Sequence, residues 1–165
     1  MSGIRLVTRA DDAGMHPIAN RAIRDTVQQG IVRNISLMAP APSIRNAYEF
    51  LGELHDRVDF GLHVTLTAEW QNMRWGPLTK SEQTKAFTRK DGSFPYTVSK
   101  LSDTTPDTDA LMVEVEAQYD LLTTLGFRLS YLDEHMGVGS LPGLADRLKE
   151  FAAKKGLVNN RALFE

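Results

Sequence analysis

Leu121-Leu122-Thr123-Thr124-Leu125-Gly126-Phe127-Arg128-Leu129-Ser130-Tyr131-Leu132 carries the join that decides the fold. Before Gly126, Leu111, Val115, Leu121, Leu122 and Leu125 recur at helical spacing, which predicts a helix over 107–125 with the glycine as its stop. After it, 127–132 reads as a short strand. The same unit repeats toward both ends of the chain. A strand over 4–10 precedes a helix over 16–29, whose spaced positions are Ile18, Ala22, Ile23 and Val27. A strand over 31–38 is broken by Pro40 and Pro42 before a helix over 43–54. A third strand over 58–67 alternates and is rich in β-branched residues. Beyond the join, a helix covers 141–154 and Gly156-Leu157-Val158 opens a fifth strand. Repeated strand–helix alternation means parallel strands joined by crossover helices, an α/β fold. The stretch 68–106 breaks the rhythm. It holds Trp70, Trp75 and the turn Asp91-Gly92, and reads as a long loop insertion of the kind that forms lids and binding loops.

With 165 residues the chain is expected to form a single domain over 1–165, able to bury roughly 70% of its unfolded surface. Its 19 basic and 21 acidic side chains leave a formal charge of −2, without the concentrated basic surface that a nucleic-acid partner requires. The absence of cysteine excludes disulfides, thiolate zinc sites and thiol nucleophiles. No apolar run approaches the ~20 residues of a membrane-spanning helix, so no membrane partner is expected. Met1 to Arg9 is too short and too charged to read as a secretory leader. The expectation is a cytoplasmic protein.

In parallel α/β folds, ligands gather at the carboxyl ends of the strands. Asp11 and Asp12 follow the first expected strand, His63 lies near the end of the third and His135 follows the fourth. One carboxylate and two imidazoles make the mixed O/N donor set of a catalytic divalent metal, and a second carboxylate can take a proton from metal-bound water. Each residue also has a plainer reading. Asp-Asp before glycine is common turn chemistry, His63 suits a hydrogen-bonded core position, and His135 a loop or helix cap. Trp70 and Trp75 suit either stacking against sugar rings or anchoring the long loop, while His16 and His55 read as surface or capping residues. Gly137-Val138-Gly139 is no dinucleotide loop, since Pro142 stands where its third glycine would be.

Three segments together, Arg9-Ala10-Asp11-Asp12-Ala13-Gly14, Gly61-Leu62-His63-Val64-Thr65-Leu66-Thr67 and Tyr131-Leu132-Asp133-Glu134-His135, resemble the YdjC-like carbohydrate deacetylases, the family of chitooligosaccharide deacetylase. Asn20-Arg21-Ala22-Ile23, Ser36-Leu37-Met38 and Trp75-Gly76-Pro77 support the likeness. The resemblance implies a distorted (β/α) barrel of the NodB-like, glycoside hydrolase/deacetylase type, of which this chain holds about four to five β/α units. It implies hydrolysis of the N-acetyl group of amino sugars or oligosaccharides with one divalent ion, magnesium or zinc. Carried over by position, Asp12, His63 and His135 would hold the metal and Asp11 would be the base, with Asp133 a supporting group; Trp70 and Trp75 are not part of this carry-over and stand as saccharide-binding candidates on the stacking reading above. The chain departs from the family in having Met136-Gly137-Val138-Gly139 where further histidines commonly follow, and no histidine after His135. Two rival readings are a catalytically incomplete carbohydrate-binding module and a metal-dependent amidase of another substrate class. An open sheet edge also makes a homo-oligomer an expectation.

Overall fold

The computed structural model describes residues 6–163. Five parallel strands, β1 (Arg9–Ala13), β2 (Asn34–Leu37), β3 (Asp59–Val64), β4 (Leu129–Glu134) and β5 (Val158–Asn159), form one sheet in the order β1-β2-β3-β4-β5. Two helices, α1 (Pro17–Gln28) and α2 (Ile44–Leu51), make the first two crossovers. The third contains the short α3 (Glu82–Ala86) and α4 (Val98–Ser102) before the long α5 (Thr108–Leu125), and α6 (Leu144–Lys155) makes the fourth. Spatial order equals chain order. Right-handed crossovers that always advance in one direction put their helices on one face of the sheet, which is how a (β/α) barrel is wound.

Local chemistry sets the helix ends. His16 caps α1, its Nδ1 accepting from the Ile18 N–H, and Pro17 occupies the first turn, where its missing donor costs nothing. Asp107 caps α5 in the same manner, and Gly126 ends it at a φ of 105°, a left-handed conformation that favours glycine. Of the apolar stripe expected on α1, Ile23 and Val27 are buried, but Ile18 is exposed and Asn20 takes a buried place on that helix. His55, expected as a surface or capping residue, caps the short turn 52–54 at its carboxyl end and also packs against the rings of Phe60 and Phe127.

The sheet has two unlike faces. Ile35, Leu37, Phe60, Leu62, Val64 and Leu132 are fully buried and belong to the hydrophobic core beneath the helices. The alternate residues, Ser36, Gly61, His63, Tyr131 and Asp133 among them, line the opposite face, because side chains in a strand alternate. Arg9, Asp11, Asn34, Asp59, Ser130 and Tyr131 border a cavity of about 600 Å³ on that side.

Two β-bulges set the polar face. Between Ala10 and Ala13 β1 uses one more residue than β2 does between Ile35 and Leu37, and Asp12 in this bulge has a φ of 62°. Between Leu129 and Tyr131 β4 likewise gains a residue over Phe60–Gly61. The second bulge brings Gly61 opposite Tyr131 and His63 opposite Asp133.

Several boundaries differ from expectation. The first strand begins at Arg9 rather than Ile4 (residues 1–5 lie outside the described part), so Asp11 and Asp12 sit inside it and not after it. Likewise β4 runs on through Asp133 and Glu134. Alternation could not show this, since a bulge interrupts the period of two on which it rests.

Candidate metal centre

Asp12, His63 and His135 converge. One ligand atom from each lies within 4.8 Å of the other two. The Asp12 Oδ1 atom stands 3.4 Å from His63 Nε2 and 3.2 Å from His135 Nδ1. Two ligand atoms each ~2.1 Å from one cation, at angles between octahedral and tetrahedral, lie ~3.0–3.4 Å apart. The donor set and its spacing therefore fit a single divalent ion.

Neighbouring backbone explains the convergence. In the β1 bulge, aspartate is one of the few side chains that tolerate positive φ. The turn after it is fastened by Met15 N–H to Asp12 C=O and by Gly14 N–H to the buried Asn20 Oδ1. The Asn20 amide also donates to Ser43 C=O and Asn46 Oδ1, which ties the turn to the start of α2. His63 reaches the site from the register of β3. His135 opens a turn in which Met136 and Gly137 both have positive φ.

Each imidazole has a carboxylate on its far nitrogen. His63 Nδ1 lies 2.8 Å from Asp133 Oδ1, and His135 Nε2 lies 3.0 Å from Glu69 Oε2. A carboxylate accepts only, so these contacts place the ring N–H on the far side and turn the other nitrogen toward Asp12. Asp133 is buried. It also accepts from Ser36 Oγ at 2.8 Å and pairs with Arg9 Nη1 at 2.9 Å. Burial alone disfavours the imidazolium of His63, but its bonds to Asp12 and Asp133 outweigh this and push its pKa up to about 9. His135 is raised in the same sense, burial being overcome by Asp12 and Glu69. Asp12 is held well below the usual carboxylate range, because the two imidazoles outweigh its own desolvation.

Asp11 stands apart from the three. Its half-exposed carboxylate receives Nε–H and Nη2–H from Arg9 and borders the cavity on the polar face. The same guanidinium touches both Asp11 and Asp133, so it spans from the expected base to the support of His63.

The tryptophans separate. Trp70 is about half exposed, with its Nε1–H donating to Glu69 Oε1 at 3.0 Å. Trp75 is buried. Its Nε1–H donates to Thr67 C=O and its ring lies 6.5 Å from that of His135, which puts it in the wall behind the site and not on an open stacking surface. Sequence reasoning did not find Glu69. Its signal was available, since it lies in the segment leaving the carboxyl end of β3.

A buried clamp holds that segment. Gln118 on α5 accepts from Thr65 N–H at 3.0 Å and donates to Thr65 C=O at 2.8 Å, imitating a neighbouring strand. Glu114, one turn earlier, accepts from Leu78 N–H, Thr79 N–H and Thr79 Oγ1. Neither residue was expected to be buried on a helix chosen for its leucines.

Among the described residues no helix is long and apolar enough to cross a membrane. The chain is 28% identical over 156 residues to a carbohydrate deacetylase of Thermoanaerobacter pseudethanolicus, covering 92% of this chain and 58% of that one. It is 29% identical over 140 residues to a carbohydrate deacetylase of Listeria monocytogenes, covering 84% and 54%. A crystal structure from Enterococcus faecalis, described as a cellobiose-phosphate cleavage protein, superposes with a TM-score of 0.81 at 21% identity, over 93% of this chain and 57% of that one. The chain thus spans little more than half the length of these relatives. The family model described as YdjC-like protein matches residues 5–165, and the chain belongs to the YdjC-like family.

Proposed function

We propose that this protein is a metal-dependent carbohydrate deacetylase acting on N-acetylated amino sugars or oligosaccharides. The observation that carries the reading is the convergence of Asp12, His63 and His135, with a second carboxylate, Asp11, next to Asp12 in sequence, in a chain whose relatives are carbohydrate deacetylases. A divalent ion such as zinc or magnesium, held by these three residues, would lower the pKa of water and polarise an amide carbonyl. Asp11 accepts the proton of the attacking water, its carboxylate held in one orientation by the two N–H groups of Arg9. Water adds to the carbonyl carbon, the C–N bond breaks as the nitrogen takes up the proton removed from water, and acetate and a free amine are released. The exposed ring of Trp70 offers a face to a sugar, while buried Trp75 backs His135.

Acetate release from an N-acetylated chitooligosaccharide, measured with zinc or magnesium added, tests the reading. Asp11→Asn is expected to keep metal binding and lose nearly all turnover. Full activity in that variant would show the assigned base to be wrong. A second reading, a saccharide-binding module without turnover, draws support from the exposed ring of Trp70. It predicts a tryptophan fluorescence change with saccharide and no acetate under any metal. Among the described residues β1 and β5 are the sheet's edges, and sedimentation would show whether copies associate through them.

A further inference from the structure

We infer that Glu69 is the positioning residue for His135, fixing which ring nitrogen faces the cation site; this rests on the reading that Asp12, His63 and His135 hold a divalent ion. The two imidazoles face the same choice. Each has two nitrogens, and only one can point at Asp12. His63 is settled from within the sheet, by Asp133 opposite it in register. His135 has no such neighbour, because it begins the turn after β4, next to two residues of positive φ. Its restraint comes from another strand end. Glu69 Oε2 lies 3.0 Å from His135 Nε2, while His135 Nδ1 faces Asp12 Oδ1 at 3.2 Å.

Glu69 suits the task because both its backbone and its side chain are fixed. Thr65, Leu66, Thr67 and Ala68 before it are all fully buried. Gln118 clamps Thr65, Trp75 Nε1–H binds Thr67 C=O, and Ala68 N–H binds Pro95 C=O. On the side chain, Oε1 is occupied by Trp70 Nε1–H, which leaves Oε2 for the imidazole. The carboxylate is therefore preorganised, and the ring turns to meet it. The result is a continuous chain of contacts, Trp70–Glu69–His135–Asp12, from an exposed aromatic face to the cation site.

The test is titration of the whole chain with zinc alone by calorimetry, in the wild type, Glu69→Ala and Glu69→Gln, with thermal melts of each metal-free protein. Loss of an outer partner of a metal-binding histidine typically costs 10- to 100-fold in affinity, and Glu69→Ala is expected to show that loss with a melt close to wild type. Glu69→Gln retains an oxygen that accepts from His135 Nε2–H, and is expected to recover most of the affinity. Equal loss in both variants would make Glu69 a ligand and overturn the inference. Equal affinity in Glu69→Ala and wild type would overturn it and leave the proposed function standing. Should the wild type bind no zinc, the reading and the inference fall together. In the zinc-loaded wild type, ¹⁵N imidazole shifts are expected to report His135 bound through Nδ1 with Nε2 protonated, a result that does not depend on any variant folding. Binding through Nε2 would refute the assignment.

Discussion

Replacing Gly61 with alanine tests the register that builds the polar face. A Cβ at Gly61 would stand 2.1 Å from Tyr131 Cε2 and 2.3 Å from Cζ. That is roughly 1.4 Å inside a comfortable carbon–carbon contact of ~3.5 Å. The obstacle is a ring, and it is anchored: the Tyr131 hydroxyl bonds Ser36 Oγ at 2.9 Å, and Ser36 in turn donates to Asp133. The ring cannot retreat without loosening the support of His63. Overpacking of this kind costs about 1–3 kcal/mol. Against it, removing glycine's freedom in the unfolded chain returns about 0.4–1 kcal/mol. The net expectation is a loss of about 1–2 kcal/mol, or roughly 2–8 °C in Tm for a domain of this size. Urea and thermal unfolding of wild type, Gly61→Ala, Tyr131→Ala and the double variant form a cycle that isolates the clash. In the Tyr131→Ala background the ring is gone, so Gly61→Ala is expected to be neutral or slightly stabilising there. If Gly61→Ala costs the same with and without the Tyr131 ring, the close approach is not what glycine serves, and the pairing of Gly61 with Tyr131 loses its physical meaning.

Four further outcomes follow from the site and its supports. Below pH about 9 a cation must displace a proton from His63, and the raised His135 acts in the same sense, so apparent zinc affinity is expected to rise about 10-fold or more per pH unit as pH climbs toward 9, and a flat profile by calorimetry would contradict the paired carboxylates. For the metal-free protein, the raised histidine contribution to stability is complete below the ordinary value of 6.5 and lost as pH rises through about 9, while the depressed Asp12 contribution is complete above 3.8 and lost as pH falls further; denaturant midpoints against pH check both flanks. Glu114→Ala removes the acceptor of two backbone N–H groups and a hydroxyl, with an expected cost of about 2–4 kcal/mol and faster limited proteolysis after Leu78; unchanged proteolysis would refute its role as loop anchor. Trp75→Ala is expected to cost about 3–5 kcal/mol of stability, whereas Trp70→Ala is expected to leave the melt nearly unchanged and weaken saccharide binding; the reverse pattern would contradict the burial of the two rings.

What could be read from the chain and what could not divide along a physical line. Strand–helix alternation and the Gly126 stop depend on local periodicity, and the sheet follows that order. The strand-end rule likewise expected Asp12, His63 and His135 to meet, because it needs only the direction of each strand, and the structure brings the three together. Pattern reading failed where the backbone leaves its period. The bulges at Asp12 and Ser130 moved β1 and β4 by several residues, and no run of apolar positions announces a bulge. It also failed where a polar side chain is buried to hold backbone. Glu114 and Gln118 look like the solvated side of α5, but their partners at Thr65, Leu78 and Thr79 are far along the chain. His55 caps a short turn, one of its two expected roles, but charged sequence neighbours said nothing of its packing on Phe60 and Phe127 across the fold. Glu69 is visible only once the segment beyond β3 is followed past its last strand residue.

On the proposed reading, the charge balance around the two imidazoles would make protons and a divalent ion alternatives there. Asp12, Glu69 and Asp133 press on rings whose centroids lie 5.2 Å apart, and that pressure raises the affinity of both rings for protons. Two imidazolium protons supply two positive charges. One divalent ion with both rings neutral supplies the same two, so exchange leaves the net charge of the cluster unchanged while moving it to the point where Asp12 Oδ1, His63 Nε2 and His135 Nδ1 meet. The carboxylates on the outer nitrogens are compatible with both states, since His63 Nδ1–H and His135 Nε2–H donate outward in either. Only the inward protons leave. On that reading one geometry would serve both states, with Asp12, His63 and His135 brought together from β1, from β3 and from the turn after β4.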